Sequence, residues 1–181
     1  MTTHTLDVPS PWVQRFSPLL APGARVLDLA CGSGRHARWL AARACPVVAV
    51  DRDQEALSGL RGVAGVSVLV ADLEGAPWPF REREFDGIVV TNYLHRPLFR
   101  HILESLNDRG VLIYETFMAG NERYGKPSRP EFLLQSGELL ELCRGTLDVV
   151  AFEQGYADQP KPALLQRLAA VKPDFADLRS I

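Results

Sequence analysis

The chain has 181 residues, of which 46% are hydrophobic and 23% are charged, and a formal net charge of −2 at pH 7. This length fits one domain with a sizeable core, and the composition excludes disordered, collagen-like and coiled-coil proteins. The slightly acidic balance lacks the basic footprint of nucleic-acid binders, so we expect no nucleic-acid partner. Cys31, Cys45 and Cys143 form no Cys-x-x-Cys pair, which predicts free thiols and no metal site.

The hydropathy pattern bears on the location of the protein. The start, MTTHTLDVPSPW, has no basic stretch followed by an apolar run, and no later stretch has the length and apolarity of a bilayer span. We therefore expect a cytoplasmic protein without membrane contact. Nothing in the sequence indicates an oligomeric state.

Apolar runs alternate with helical patterns through the first two thirds of the chain. Trp12 to Leu20 predicts a short amphipathic helix, and Pro22-Gly23 turns the chain into a buried strand, RVLDLA. The elements that follow are helix GSGRHARWLAARA, strand PVVAVD, helix DQEALSGLRGV, strands VSVLVAD and FDGIVVTNY, helix LFRHILESLN and strand GVLIYETF. This alternation is typical of a parallel sheet with crossover helices.

The last third of the chain predicts a different arrangement. Residues 119–130 (AGNERYGKPSRP) have no periodicity and predict a loop, which is followed by helix FLLQSGELLELC. Two runs, LDVVAFEQG and ALLQRLAAV, predict a closing antiparallel hairpin, although the second run also fits a helix.

These elements predict an α/β domain over residues 1–181, with a helical extension at 1–21, a ligand-binding core at 22–118 and the loop, helix and hairpin at 119–181. The expected architecture is a doubly wound, mostly parallel seven-stranded sheet with helices on both faces. In such a sheet the ligand crevice lies at the carboxyl ends of the strands.

A glycine-rich turn lies between the first predicted strand and its helix. Gly32 and Gly34 permit a tight turn and a close approach of a ligand to the backbone. The turn departs from the dinucleotide fingerprint, because Asp28 lies inside the preceding strand, where its carboxylate would repel a pyrophosphate. The same carboxylate would attract the amino group of a zwitterionic ligand.

Two further acids follow the second and third strands. Asp51 ends VVAVD, where a carboxylate can accept hydrogen bonds from both hydroxyls of a ribose. Asp72 in VLVADLEG has a spacing suited to the exocyclic amine of an adenine, with Leu73 and either Arg52 or Trp78 beside the ring. The three acids together predict a ligand that combines an adenosine with an amine.

The motifs D-L-A-C-G-S-G, Val50-Asp51, Ala71-Asp72 and FDGIVV resemble the successive motifs of class I methyltransferases over about residues 22–118. The resemblance implies a Rossmann-like methyltransferase fold, S-adenosylmethionine as cofactor and S-adenosylhomocysteine as product. Within the class, CGSGRHARWLA and TNYLHRPL are most similar to small bacterial tellurite-resistance-like methyltransferases. We assign the cofactor-binding residues as Asp28, Ala30, Gly32, Gly34, Asp51, Arg52, Asp72 and Leu73.

The resemblance also implies which residues face the methyl acceptor. Asn92, Tyr93 and His95 are expected to line the methyl-transfer pocket. A base is optional because the sulfonium is already activated, and His95 is the first choice since imidazole titrates near neutral pH. The second-rank candidates for this pocket are Glu115, Arg123 and Tyr124.

Three functions stay open at this point. The favoured one is methyl transfer from S-adenosylmethionine to a small-molecule acceptor, with the loop at 119–130 as a candidate wall of the pocket. A nicotinamide-dependent oxidoreductase explains the glycine turn and Asp51 but leaves Asp28 and Asp72 without a role. A non-catalytic cofactor-binding regulator or partner subunit fits the same motifs.

Overall fold

The structure, a computed structural model, describes residues 8–175. Its strands are β1 (Val26–Leu29), β2 (Val47–Asp51), β3 (Val66–Val70), β4 (Phe85–Thr91), β5 (Leu106–Phe117), β6 (Asp148–Ala157) and β7 (Ala163–Val171). They form one sheet in the order β3-β2-β1-β4-β5-β7-β6. The pairs among β1 to β5 are parallel, whereas β7 is antiparallel to both β5 and β6. The predicted fold class is therefore confirmed.

Helices cover both faces of the sheet. They are α1 (Pro11–Phe16), α2 (Arg35–Ala41), α3 (Gln54–Ser58), α4 (Phe99–Ser105) and α5 (Glu138–Cys143). Alternate strand residues point to opposite faces, and they divide into two apolar clusters. Helices α1, α2 and α3 pack in the cluster that contains Val26, whereas α4 and α5 pack in the cluster that contains Leu27.

Two predicted helices differ in extent from those of the structure. The first helix ends at Phe16 and continues as a 3₁₀ turn over Ser17–Leu19. The prediction of a helix from residue 132 is wrong for its first half, because Leu134 pairs with Met118 in a parallel bridge and Gly137 has a φ of 73°. A left-handed glycine there fits the start of α5 at the next residue.

The run ALLQRLAAV is the strand β7, so its alternative helical interpretation is wrong. The predicted extension at 1–21 and domain range 1–181 include residues 1–7 and 176–181, which lie outside the described residues.

The strand order places a crevice beside β1. From β1 the chain builds outward to β2 and β3, and it then returns to β4 on the other side of β1. Ligands of doubly wound sheets bind where the order reverses in this way, at the carboxyl ends of the strands. Among the helices between residues 8 and 175, none has the length and apolarity needed to cross a membrane.

A buried histidine connects the segment before α1 to this crevice. His36 of α2 is 1% exposed, its Nε2 accepts a hydrogen bond from the Ser10 N–H at 3.1 Å, and its Nδ1 lies 3.4 Å from the Thr91 hydroxyl. Burial, and then the positive charge of Arg35, lower the pKa of His36 to about 3. The imidazole is therefore neutral at physiological pH, and Nδ1 carries the proton.

His36 should make the free energy of unfolding depend on pH. Unfolded His36 binds a proton near pH 6.5 but folded His36 only near pH 3, so its contribution to the free energy of unfolding is lost as the pH falls between these values. We expect the stability advantage of the wild type over His36→Gln to shrink between pH 6.5 and 4, by up to about 1.4 kcal/mol per pH unit. Urea unfolding of both proteins at several pH values measures this difference in the free energy of unfolding.

The half-exposed His101 on α4 provides the matched control. His101→Gln leaves the contacts of His36 with Ser10 and Thr91 in place, so it should keep the pH dependence that His36 causes. A constant stability difference between the wild type and His36→Gln from pH 6.5 to 4 would contradict the assignment of His36 as a buried neutral imidazole.

Candidate active site

A cleft of about 330 Å³ opens at the carboxyl ends of β1 to β4. It is lined by Ala30, Asp51, Arg52, Ala71, Asp72, Leu73, Glu74, Asn92, Tyr93 and Phe132. All of these residues except Ala71, Glu74 and Phe132 were predicted to belong to the site. The structure therefore brings the residues assigned to the ribose and the adenine to one cavity with two of the residues assigned to the acceptor.

Asp28 is not among the residues that line the cleft, and it carries an incomplete hydrogen-bond set. Its side chain is 0% exposed, and Oδ2 accepts a hydrogen bond from the Ala37 N–H at 2.9 Å. Within residues 8–175, Oδ1 is a buried side-chain atom without a hydrogen-bond partner. Burial raises the pKa of Asp28 to about 7, against the lowering effects of the Ala37 N–H and of Arg35. A cationic donor at Oδ1 would complete this site and favour the ionised carboxylate.

The turn after Asp28 has a left-handed backbone at three positions. The φ angles are 51° at Ala30, 56° at Gly32 and 77° at Gly34. A Cβ atom on Gly32 would meet no heavy atom within 4 Å, so its backbone borders open space. A Cβ atom on Gly34 would lie 2.3 Å from Cδ1 of Leu60. The first glycine thus leaves room for a ligand, whereas the second one permits packing against the core.

Asp51 holds the turn from the neighbouring strand. Its Oδ2 accepts a hydrogen bond from the Gly32 N–H at 2.8 Å, and its Oδ1 accepts one from the Asp53 N–H at 2.9 Å. A carboxylate has about four lone-pair sites, so both oxygens keep acceptor capacity toward the cleft. Asp51 can therefore position the turn and also receive ribose hydroxyls.

Three carboxylates and one guanidinium belong to the lining of the cleft. The Asp72 Oδ1 accepts hydrogen bonds from the N–H groups of Glu74 and Gly75, at 3.1 and 3.2 Å. Asp51, Asp72 and Glu74 outnumber the single cation Arg52 among the lining residues. The surplus of negative charge opposes the pyrophosphate of a nicotinamide cofactor and favours donors such as hydroxyls and an exocyclic amine.

The segment after β4 is held by two hydrogen bonds to β5. Asn92 has a φ of 55°, a conformation that Asn tolerates better than most residues, and its N–H donates to the Glu115 carbonyl at 2.9 Å. The Tyr93 carbonyl accepts a hydrogen bond from the buried Tyr114 hydroxyl at 3.0 Å. Burial, and then the charge of Glu74, raise the pKa of the Tyr93 hydroxyl. Tyr93 therefore stays a hydrogen-bond donor at neutral pH.

His95 does not line the cleft. It is half-buried and precedes the 3₁₀ turn Arg96–Leu98, and its carbonyl accepts the Leu98 N–H at 3.0 Å. The structure thus brings Asn92 and Tyr93 to the cavity but leaves His95 outside its lining. The role of His95 as a base stays a prediction.

The remaining sequence candidates lie away from the cleft lining. Glu115 is 7% exposed and accepts a hydrogen bond from Arg167 Nε at 2.6 Å. Tyr124 packs against Tyr156 with ring centroids 5.3 Å apart. Trp78 stacks on His101 of α4 at 5.7 Å rather than beside the adenine region.

Arg96 is a residue of the site region that the sequence analysis missed. Its guanidinium bonds to Glu138, 42 positions away, through Nε to Oε1 at 2.6 Å and Nη2 to Oε2 at 2.9 Å. No local sequence pattern indicates a contact between two residues so far apart in the chain. Glu74 could have been found, because it follows Asp72 by two residues in the same turn and adds a second acid there.

The donor and acceptor groups of the cleft fit S-adenosylmethionine. The unpartnered Oδ1 of Asp28 matches the ammonium of the methionine part, and the open backbone at Gly32 leaves room for it. The half-buried Arg35, whose charge acts on Asp28, lies outside the lining of this cleft, at a second cleft beside Pro9, Arg38 and Trp39. Asp51, which the sequence assigned to the ribose, and Asp72, assigned to the adenine amine, both line the cleft.

Comparison with known proteins agrees with this geometry. Residues 26–110, which include the turn, Asp51, Asp72 and the β4 wall, match the family model of a methyltransferase domain. This part of the chain is similar to a methyltransferase domain. S-adenosylmethionine is the cofactor that such a domain implies, in agreement with the resemblance to class I methyltransferases.

Solved structures of known proteins share the fold of this chain. TehB from Haemophilus influenzae superposes with a TM-score of 0.77 at 18% identity, covering 91% of this chain and 62% of TehB. A TehB-like SAM-dependent methyltransferase from Corynebacterium glutamicum superposes with a TM-score of 0.65 at 19% identity, covering 89% of this chain and 86% of that one. The resemblance to class I methyltransferases of this kind is thereby confirmed for the fold.

One curated relative also aligns with the chain. The uncharacterized protein UNK4.09 of Schizosaccharomyces pombe is 24% identical over 211 residues, which cover 88% of this chain and 62% of that protein. The chain thus spans 62% of the length of both this relative and TehB.

Proposed function

We propose that this protein transfers a methyl group from S-adenosylmethionine to a small-molecule acceptor. The observation that carries the proposal is the buried carboxylate of Asp28, which has one unpartnered oxygen beside a turn whose Gly32 faces open space. The ammonium of a methionine group can donate hydrogen bonds to a carboxylate in this position. The pyrophosphate of a nicotinamide dinucleotide is negatively charged and would be repelled by it.

The chain's own groups would divide the cofactor among them. Asp28 receives the ammonium, Arg35 the carboxylate, Asp51 the ribose, and Asp72 the adenine amine. When bound, the sulfonium supplies a methyl group that is already activated for transfer. The protein then has to align the acceptor with that methyl carbon and exclude water, which are tasks of positioning.

The acceptor side of the cleft favours a nucleophile that needs no base. Tyr93 keeps its hydroxyl proton at neutral pH, and Asn92 is neutral, so both side chains can orient an acceptor without deprotonating it. We therefore propose an acceptor atom whose lone pair is free near pH 7, such as the nitrogen of an imidazole or of a weakly basic aromatic amine. The net charge of −2 and the acidic cleft support a small molecule over a nucleic acid.

Calorimetry on protein shown to be free of bound cofactor tests the first part of the proposal. S-adenosylhomocysteine is expected to bind at one site, whereas NAD gives no heat of binding. Binding of NAD without binding of S-adenosylhomocysteine would reverse the ranking in favour of an oxidoreductase.

Turnover is tested with methyl-labelled S-adenosylmethionine in a small-molecule cell extract. Mass spectrometry should detect a labelled metabolite that depends on the protein. An Asn92→Ala variant that binds the cofactor normally should form less of it. Cofactor binding without transfer to any component of the extract would support the non-catalytic regulator instead.

A further inference from the structure

One segment brings an aromatic ring to the cofactor cleft from outside the predicted core. Residues 130–138, here called the Phe132 strap, run from a 3₁₀ turn at Pro130–Phe132 to the start of α5. Phe132 is 39% exposed and lines the cleft that Asp72 and Tyr93 also line. An exposed aromatic ring in the wall of a nucleoside cleft can provide a stacking surface.

The second half of the strap is fixed by the backbone. The Leu134 N–H donates to the Phe117 carbonyl at 3.0 Å, and the Leu134 carbonyl accepts the Ala119 N–H at 2.9 Å. These bonds attach the strap to the end of β5. The backbone N–H groups of Phe132 and Leu133 bond only locally, to the carbonyls of Arg129 and Pro130. The position of the ring therefore depends on other contacts.

Besides the burial of Leu133 and the Arg129 guanidinium, which lies 5.6 Å from the Phe132 ring centroid, Arg96 supplies such contacts. Its Nη1 donates to the Glu131 carbonyl at 3.0 Å and its Nη2 to the Leu133 carbonyl at 2.9 Å, on either side of Phe132. The same guanidinium forms the two-pronged ion pair with Glu138, whose Oε2 also accepts the Gln135 N–H at 2.7 Å. One side chain thus holds both ends of the strap.

The guanidinium is suited to this task by its shape. Four of its N–H groups point in fixed directions in one plane, so it can bridge a carboxylate and two carbonyls at once. Charge-assisted, two-pronged pairs are stronger and more directional than single hydrogen bonds. An ammonium group at this position could not reproduce the geometry.

We infer that Arg96 is a positioning residue, which locks the Phe132 strap so that Phe132 forms a stacking wall for the adenine of the cofactor. This inference rests on the proposed function for the identity of the ligand. The holding of the strap by Arg96 stands on the contacts alone.

The test combines ligand binding with hydrogen exchange on the full chain. Phe132→Ala should weaken binding of S-adenosylhomocysteine about tenfold, as expected for loss of one base-aromatic stack. Arg96→Ala should weaken it by a similar factor, and the double variant should bind about as weakly as Phe132→Ala. Amide exchange at 130–134 should be faster in ligand-free Arg96→Ala than in the wild type.

The controls separate this role from a general loss of stability. Arg100→Ala removes an exposed pair with Glu104 on α4 and should change neither binding nor exchange at the strap. Arg96→Lys, which keeps the charge, should retain the fold yet bind S-adenosylhomocysteine more weakly than the wild type. Its binding serves as the test if Arg96→Ala does not fold.

Two results would overturn the inference. One is wild-type affinity in the Arg96 variants, and the other is additive loss in the double variant together with unchanged exchange at 130–134. Absence of binding by the wild-type protein would overturn the proposed function itself, and with it the ligand assigned to Phe132.

Discussion

Asp28→Asn is expected to bind S-adenosylhomocysteine at least about thirtyfold more weakly than the wild type, the size of the loss when one partner of a buried charge pair is removed. At pH 8 the same variant without ligand should unfold at a higher temperature, by about 3 °C or more. Both results have one cause. Ionised Asp28 is buried with Oδ1 unpartnered, which costs stability until a cationic ligand arrives.

The pH dependence follows from the raised pKa of about 7. Folded Asp28 retains its proton between pH 3.8 and 7, whereas unfolded Asp28 has lost it, so this group destabilises the ligand-free fold as the pH rises through that range. The stability gain of Asp28→Asn over the wild type should therefore disappear toward pH 4. Thermal unfolding of both proteins at pH 4 to 8 measures this change.

Cofactor affinity should show the opposite trend in the wild type. The ammonium binds to the ionised carboxylate, so affinity should rise by up to about tenfold per pH unit below pH 7 and level off above it. Asp28→Asn should lack this rise. Asp53→Asn, which removes an exposed carboxylate at the start of α3, is the matched control and should behave as the wild type in binding. A wild-type affinity that does not vary between pH 6 and 8 would contradict the role of Asp28.

Exchanging each of the two glycines of the turn for alanine should separate binding from folding. Gly34→Ala places a Cβ against the buried Leu60 and in a left-handed backbone, so we expect it to destabilise the fold by about 2–5 kcal/mol. Gly32→Ala has the same backbone strain but open space, so its cost should stay near 1–2 kcal/mol. Its methyl group lies where the ligand approaches, so it should lose most cofactor binding.

Urea unfolding measures the stability of both glycine variants, and titration with S-adenosylhomocysteine measures their cofactor binding. Leu60→Ala serves as the control for Gly34, because its own cost should be smaller in the Gly34→Ala background, where it removes the clashing atoms. Equal destabilisation by the two glycine variants, or normal cofactor binding by Gly32→Ala, would contradict the division of roles.

The parts of the site that local sequence could predict are those held by strand ends. Asp51 ends β2, Asp72 follows β3, and Asp28 lies inside β1 one residue before its end, and parallel strands bring their carboxyl ends to one edge. The fold followed from the same alternation of strands and helices. Periodicity suffices for the fold, whereas the site also needed the motifs that resemble those of class I methyltransferases.

What the sequence could not predict depends on contacts between distant residues. Phe132 reaches the cleft because the predicted helix breaks at Gly137 and the strap bonds to β5 instead. His36 is buried because Ser10 and Thr91 satisfy its ring nitrogens, and no periodic pattern marks such a pairing. His95 shows the reverse case, since a family motif drew attention to a residue that the turn at Arg96–Leu98 leaves outside the lining.

The ion pair between Arg96 and Glu138 has a consequence for the evolution of this protein. The two positions are 42 residues apart in the chain, yet loss of either leaves a charged group beside the strap without its partner. A substitution at one of the two positions is therefore expected to occur together with a substitution at the other. Homologues that have lost the arginine should also have lost the glutamate, and their cleft should carry a different residue in place of Phe132.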